Sequence, residues 1–444
     1  MKLWEKGIST NKMIEKFTVG NDRQLDLLLA KFDVYGNIAH AQMLSSIGIL
    51  TQEEFLSLKK ELVEILQNIQ NANFKIDDDI EDIHSQIELI LTNKLGEAGK
   101  KIHTARSRND QVLVDIKLFI RENIFGLTEN ISQVFNLLIS KSEEFKNVLM
   151  PGYTHFQIAM PSSFGLWFGA FAESLADDLQ TVLASYKINN QNPLGSAAGY
   201  GSSFPIDRKM TTELLGFDDL NYNSVYAQMS RAKNDRALAF AIASVASTIG
   251  KMANDLCVFM SQNFNFFFLP DEFTTGSSIM PHKKNPDVFE LLRAKCNRLQ
   301  NLPYEITLIS TNLISGYFRD YQILKDIIFP AFYEINNCLD IYILMLQNVE
   351  INKTILNDAR YDYLFSVEKV NQQVLQGIPF RTAYKNIAEE IKNGNFKPNK
   401  TINHTHEGSI GNLCNKEITE KFERIIDEFN FTKYQTKIAE LIKL

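Results

Sequence analysis

The sequence predicts an all-α protein built on a central bundle of long helices. Apolar residues recur at three- and four-residue steps over stretches longer than an ordinary helix, first at Ile116, Phe119, Ile120, Ile124, Leu127, Ile131, Val134 and Leu138. The rhythm returns at Phe164, Phe168, Phe171, Leu175, Leu179 and Val182, at Leu238, Ile242, Val245, Ile249, Met252, Leu256 and Phe259, and again at Ile328, Phe332, Ile335, Leu339 and Leu346. Strand-like alternation is scarce. Ala239, Ala241, Ala243 and Ala246 are small enough to let helices approach closely. Long bundle helices leave apolar stripes that one protomer covers only in part, so self-association is expected.

A chain of 444 residues is long enough for a large core, and 45% hydrophobic with 22% charged residues describes a globular protein. The net charge of -7 supplies no basic field, which argues against nonspecific nucleic-acid binding. Cys257, Cys296, Cys338 and Cys414 are widely separated, so neither a zinc framework nor a disulfide scaffold is suggested. Around Trp4, Glu5, Lys6 and Gly7 there is no apolar signal-peptide core. Charge-free runs such as 237–250 are too short to span a bilayer, and 147–172 is broken by Pro151, Gly152 and Pro161. The expectation is a cytoplasmic protein with no membrane partner.

In chain order, residues 1–105 form an N-terminal helical unit. Leu25, Leu28, Leu29 and Phe32 lead one helix, and Thr51 with Glu54 makes a capping box before Phe55, Leu58, Leu62 and Ile65. Asp77, Asp78 and Asp79, followed by Glu81, Asp82 and His84, read as an acidic entry to a helix closed near Gly96; the spacing is not that of a calcium loop. Residues 106–355 form the bundle, with a Pro/Gly break at Pro151 and Gly152. Residues 356–444 carry shorter helices, a turn from Gly377 to Arg381, and a polar loop from Asn393 to Asn412. His404 and His406 in that loop have no further ligands nearby in sequence, and no metal is expected.

Four clusters carry chemistry. Gly276 to Asp287 joins Ser277, Ser278, Lys283 and Lys284 to Asn285-Pro286-Asp287, which reads as N-cap, N1 and N2 of a helix. Lysines beside a helix start favour a carboxylate or phosphate, and either serine could act on what is held there. The segment from Lys101 to Gln111 sets Arg106, Ser107, Arg108 and Asn109 where the first long helix begins, with Ser107 or Asn109 as its cap. Thr154 and His155 lie in a loop bounded by Pro151 and Gly152, where an imidazole can hold a proton near neutrality. Tyr317, Arg319, Asp320, Gln322 and Lys325 follow Gly316.

Carboxylate partners, a hydroxyl and a histidine without a nucleotide loop suit proton abstraction beside a carboxylate. That step builds a second negative charge, which needs fixed cations and N–H donors. An α,β-elimination from a substituted succinate fits, with a serine ionised by Lys283, the helix start and exclusion of water.

Gly276-Ser277-Ser278-Ile279-Met280-Pro281-His282-Lys283-Lys284-Asn285 resembles the signature of the fumarase/aspartase superfamily, and its Lys-Lys-Asn-Pro-Asp ending resembles the argininosuccinate lyase family within it. The 103–111 segment is similar to that same family and unlike the corresponding segment of adenylosuccinate lyases. Pro151 to His155, Asn192 to Gly195, Asp207-Arg208 and Gly377 to Arg381 match in order, so the likeness spans nearly the whole chain.

The resemblance implies a three-domain homotetramer with each active site assembled from three subunits, and reversible cleavage of argininosuccinate to arginine and fumarate in arginine biosynthesis, without a cofactor. It assigns Ser277 as general base, Lys283 and Asn285 as stabilisers of the aci-carboxylate, and His155, held by Glu290, as the acid or acid relay. Ser107, Arg108, Asn109, Thr154, Tyr317, Gln322 and Lys325 would bind substrate. The chain departs from the pattern at Leu3 to Gly7, where the family's substrate-touching N-terminal serine has no evident counterpart. It departs again at Ala105, at His282, through 223–231, and among the acids of 317–325. Adenylosuccinate lyase and a noncatalytic crystallin-like scaffold are the rival readings.

Overall fold

The computed structural model describes residues 11–444; the divergent segment from Leu3 to Gly7 lies outside the described residues. The N-terminal part contains α1 (Lys12–Val19), α2 (Asp22–Ser46), α3 (Gln52–Gln70), α4 (Ile83–Leu95) and α5 (Glu97–Lys101). Thr51 caps α3 with the reciprocal Glu54 contact expected from the sequence. The acidic run at 77–79 stays outside the helix; Asp82 is the cap of α4, accepting the Ser85 N–H at 2.8 Å. Gly96 closes α4 at φ 57°, where a Cβ would be strained.

The bundle is formed by α6 (Arg108–Glu144), α7 (Phe164–Asn189), α9 (Ser224–Phe259), α10 (Asp287–Leu299) and α12 (Leu324–Asn348), with the shorter α11 (Leu302–Ile309) beside α9 and α12, while α8 (Arg208–Leu214) packs on α2. The apolar positions picked from sequence on α6, α7 and α9 are buried almost without exception, and they join one continuous core that also takes in α2, α3 and α12. α6 and α7 approach so closely at Gly165 that an added Cβ would stand 2.4 Å from the Ser142 carbonyl oxygen. α9 and the α12 stretch are long and apolar enough to cross a membrane by length and composition. Their apolar residues instead pack into this shared core.

One element escaped the sequence reading. The Pro/Gly break between α6 and α7 is a β-hairpin of β1 (Leu149–Thr154) and β2 (Gln157–Ser163), pairing Thr154 with Gln157 across His155 and Phe156. Both turn residues have positive φ, 53° and 57°, the type I′ geometry that matches strand twist. Asn-Gly usually announces such a turn, and His-Phe conceals it.

At the C-terminal end, α13 (Ser366–Leu375) and α14 (Phe380–Lys392) enclose a small core of Val370, Ala383 and Ile387. The expected turn runs from Gly377 to Pro379, with Phe380 already helical, and the polar loop lies where the sequence put it. α15 (Asn415–Asp427) and α16 (Phe431–Ile442) return to the main core through Phe422, Tyr434 and Ile438.

Arg121, fully buried on α6, ties these parts together. It donates to the Leu215 and Gly216 carbonyls at 2.7 and 2.9 Å and to Asn190 Oδ1 at 2.9 Å, between the rings of Phe217 and Tyr434. Arg121→Ala removes those partners and opens a cavity, so we expect a loss of about 3 kcal/mol or more, read as a lowered thermal midpoint.

Candidate active site

The start of α6 opens into a cavity of about 210 Å³. α6 contributes Arg108 and Asn109, α2 contributes Asp22 and Asp26, and the approach to α4 contributes Glu81, Asp82 and His84. The far wall is Arg231 of α9 with Tyr317, Arg319, Tyr321, Gln322 and Lys325 from the segment entering α12. Arg108, Asn109, Tyr317, Gln322 and Lys325, chosen from sequence, therefore share one site.

The helix start is held from behind. Ser107 is the N-cap of α6 in a capping box, and its hydroxyl accepts the Asn109 N–H at 3.2 Å. Asp110 accepts the Ser107 N–H at 2.9 Å with one oxygen and the Gly195 and Ala197 N–H groups at 2.9 and 3.0 Å with the other. Burial pushes Asp110 up to about 6, and these donors oppose the shift. Arg208 fastens the same loop by donating to the Leu194 and Asn221 carbonyls at 2.9 Å. The Asn192 to Gly195 and Asp207-Arg208 motifs thus hold the backbone that positions Arg108.

Most charged groups of the lining are paired. Arg108 Nη1 meets Asp82 at 2.9 Å and Glu81 at 3.3 Å, and Arg319 meets the other Glu81 oxygen at 3.1 Å. Gln322 donates to the Thr18 carbonyl at 2.9 Å and accepts from Arg319 at 3.0 Å. Lys325 is held by Asp22 at 2.5 Å and Asp26 at 2.7 Å. Arg231, only 4% exposed, is aimed by Asp235 at 2.8 Å. The two guanidiniums of the 101–111 cluster part company. Arg108 faces the cavity, whereas Arg106 turns into the core and donates to Asn37 at 2.7 Å.

Beneath the cavity floor, His84 Nδ1 meets Asp33 at 2.7 Å and Asp115 at 3.6 Å. One ligand atom each from Asp33, His84 and Asp115 lies within 4.8 Å of the others, the one grouping among the described residues compact enough for a metal ion. The chain's own groups already meet that charge. Burial and the neighbouring Asp33 carboxylate raise Asp115 well above its ordinary range, and the Arg106 guanidinium lies close by. His404 instead pairs with Glu368 at 2.9 Å.

The remaining sequence-chosen residues lie elsewhere. Thr154 and His155 are exposed at the hairpin tip. Ser277 and Lys283 sit on the 277–283 loop between two short paired strands, Thr275–Gly276 and Lys284–Asn285. Ser277 Oγ accepts the Met280 and Ile279 N–H groups at 3.1 and 3.3 Å. Lys284 is bonded to Asp271, while Lys283 has no ion-pair partner among the described residues. The expected cap is not formed. α10 begins at Asp287 behind Pro286, and Asn285 lies in a strand opposite Thr275, because the ladder fixes its backbone before the helix starts. Glu290 is exposed on the first turn of α10.

At about 1.5 Å per residue, the 37 residues of α6 place its start and the β1 strand beyond its end about 55 Å apart. Tyr153 of the hairpin packs on Phe264 and Phe266, just past the end of α9, and Arg293 of α10 donates to Asn254 on the last turns of α9. The hairpin and the loop preceding α10 therefore belong to the end of the bundle opposite the cavity.

A family model described as Lyase matches residues 5–300. An argininosuccinate lyase from Parabacteroides distasonis is 58% identical over 441 residues, 99% of each chain. The chain belongs to the argininosuccinate lyase family. Its fold is similar to that of an EDDS lyase variant with bound fumarate, with a TM-score of 0.73 and 22% identity over 98% of this chain and 94% of that one. It is likewise similar to a class II fumarase from Schistosoma mansoni, with a TM-score of 0.71 and 15% identity over 97% and 93% of the two chains.

For this member of the argininosuccinate lyase family, sequence reasoning missed Asp22, Asp26, Arg231 and His84 as cavity residues. Asp22, Asp26 and Asp33 recur on one face of α2, but Arg23, Gln24, Lys31 and Asn37 on the same helix hide that spacing among ordinary polar positions. His84 was taken only as part of a helix entry. Burial alone would lower the His84 pKa, but Asp33, Asp82 and Asp26 overcome it and hold it above 6.5. Its stabilising contribution is then complete below pH 6.5 and is lost as pH rises through the raised folded value. We expect the difference in thermal midpoint between wild type and His84→Gln to shrink across that rise in a pH series.

Proposed function

We propose that this chain catalyses reversible α,β-elimination of argininosuccinate to arginine and fumarate. The identity of 58% to an argininosuccinate lyase, sustained over 99% of both chains, carries the reading and disfavours adenylosuccinate lyase. The cavity suits such a ligand: it presents guanidiniums for carboxylates and carboxylates for cationic nitrogen.

In this reading Ser277 removes the proton from the succinyl carbon next to the carboxylate, aided by the two backbone N–H groups that already point at its oxygen. Lys283 and Asn285 stabilise the aci-carboxylate. The C–N bond then breaks and the guanidino nitrogen leaves with a proton delivered through His155, which Glu290 orients. Ser107, Arg108, Asn109, Thr154, Tyr317, Gln322 and Lys325 bind the two ends of the substrate. The site needs no metal or organic cofactor for these steps.

The same reading makes the protein a cytoplasmic homotetramer of three-domain subunits, 1–105, 106–355 and 356–444, with sites shared among subunits. The separation along α6 supports this, because a single rigid chain keeps His155 tens of ångströms from Arg108. The exposed apolar side chains Phe240, Leu291, Tyr304 and Leu308 on the bundle are suited to cover by other subunits.

Fumarate absorbance with argininosuccinate and with adenylosuccinate tests the reaction; release from the second substrate alone would replace the reading. Ser277→Ala is expected to lower kcat by about 10²-fold or more with substrate still bound, and near-wild-type turnover would remove Ser277 as the base. Sharing is tested by mixing Arg108→Ala and His155→Asn subunits, each inactive alone. Recovery of activity after dissociation and reassembly is expected, and none is expected if every site is built within one chain.

A further inference from the structure

Among the described lining residues Arg231 is taken by Asp235, which does not face the cavity, so Arg108, Arg319 and Lys325 are left to meet Asp22, Asp26, Glu81 and Asp82. Glu81 and Asp82 are met by Arg108 and Arg319. Asp26 is filled at both oxygens: Oδ1 takes the Lys325 ammonium at 2.7 Å and Oδ2 the Ile83 N–H at 3.3 Å. Asp22 must share that same lysine. Its Oδ1 lies 2.5 Å from Lys325, while Oδ2 has no partner among the described residues, and its side chain is 16% exposed on the cavity wall. One lysine cannot neutralise two carboxylates, so a negative charge with an open acceptor remains at the start of α2. Burial pushes Asp22 up to about 6, the behaviour of a carboxylate short of a cation, even with Lys325 opposing it and Asp26 adding to it.

A carboxylate oxygen left open and partly dehydrated in a cavity selects a cationic N–H donor. The argininosuccinate reading, on which this inference rests, supplies one: the α-ammonium at the amino-acid end, remote from the bond that breaks. We propose that Asp22 takes the substrate's α-ammonium and so determines the specificity of the site for an α-amino acid. Lys325, fixed between Asp22 and Asp26, keeps the third hydrogen of its ammonium for the neighbouring α-carboxylate. A contact so far from the reacting carbon is made equally before and during the reaction, so it acts on KM more than on kcat. The alternative is that Asp22 only favours the positive end of the α2 dipole, which would alter stability without altering substrate choice.

The test compares argininosuccinate with an analogue in which hydrogen replaces the α-amine, using wild type and Asp22→Asn. A charge-assisted hydrogen bond corresponds to roughly 10–100-fold in affinity. Wild type should therefore disfavour the analogue by that factor in kcat/KM. Asp22→Asn should raise the KM for argininosuccinate by a similar factor with little change in kcat, and should treat the two substrates nearly alike. A wild type indifferent to the missing amine overturns the proposal without any variant. So does an Asp22→Asn enzyme that keeps the wild-type discrimination. Failure of wild type to release fumarate from argininosuccinate would instead remove the functional reading beneath it.

Discussion

A helix of 37 residues is a rigid spacer, and α6 sets the layout of this protein. Its first turn carries the guanidinium and amide that face the cavity, and its last turn delivers the chain to the hairpin that carries Thr154 and His155. Since Leu113, Ile124, Ile131 and Leu138 are all buried along it, the helix cannot bend to bring its ends together without unpacking the core. Residues chosen for one reaction thus lie at two ends of one chain, and chemistry that needs both requires association. In the proposed function, the sharing of the site between subunits follows from the length of this one element.

The cavity end is kept in shape by buried polar groups more than by apolar packing. Asp110 gathers three backbone N–H groups from two segments, Arg208 gathers carbonyls from the facing loop, and Arg106 donates to Asn37, which in turn donates to Asp33 beside His84. Asp110 is fully buried and Arg208 partly so, and removing either leaves backbone groups in a crowded loop without their partner. The opposite end is arranged differently. The 277–283 loop is exposed and held by a two-residue ladder, which leaves it free to respond to what binds.

The sequence made the helices legible because burial on one face imposes a period that survives substitution. Ile116 to Leu138 specifies α6 without reference to any relative, and Thr51 with Glu54 marks a helix start for the same local reason. Legibility failed where tertiary context decides. The β1–β2 hairpin has His155 and Phe156 at a turn that normally advertises glycine, and Asn285 looks like a cap until a strand partner fixes its backbone. Of the residues lining the cavity, Arg108, Asn109, Tyr317, Gln322 and Lys325 were singled out in the sequence by their motifs. Asp22, Asp26 and Arg231 sit on long helices whose periodicity explains them equally well as surface or salt-bridge residues, so only the cavity reveals them.

Gln322 places a further condition on the cavity. Its amide nitrogen donates to the Thr18 and Val19 carbonyls at 2.9 and 3.4 Å, the last residues of α1, and Arg319 donates to Thr18 as well. Those donors hold the end of a helix whose Phe17 is 88% exposed and contributes little burial of its own. Gln322 therefore faces the cavity with an amide whose hydrogens are already given to the carbonyls that end α1. The end of α1 and the cavity thus share one amide, so the backbone that closes that helix is also part of what fixes the cavity wall.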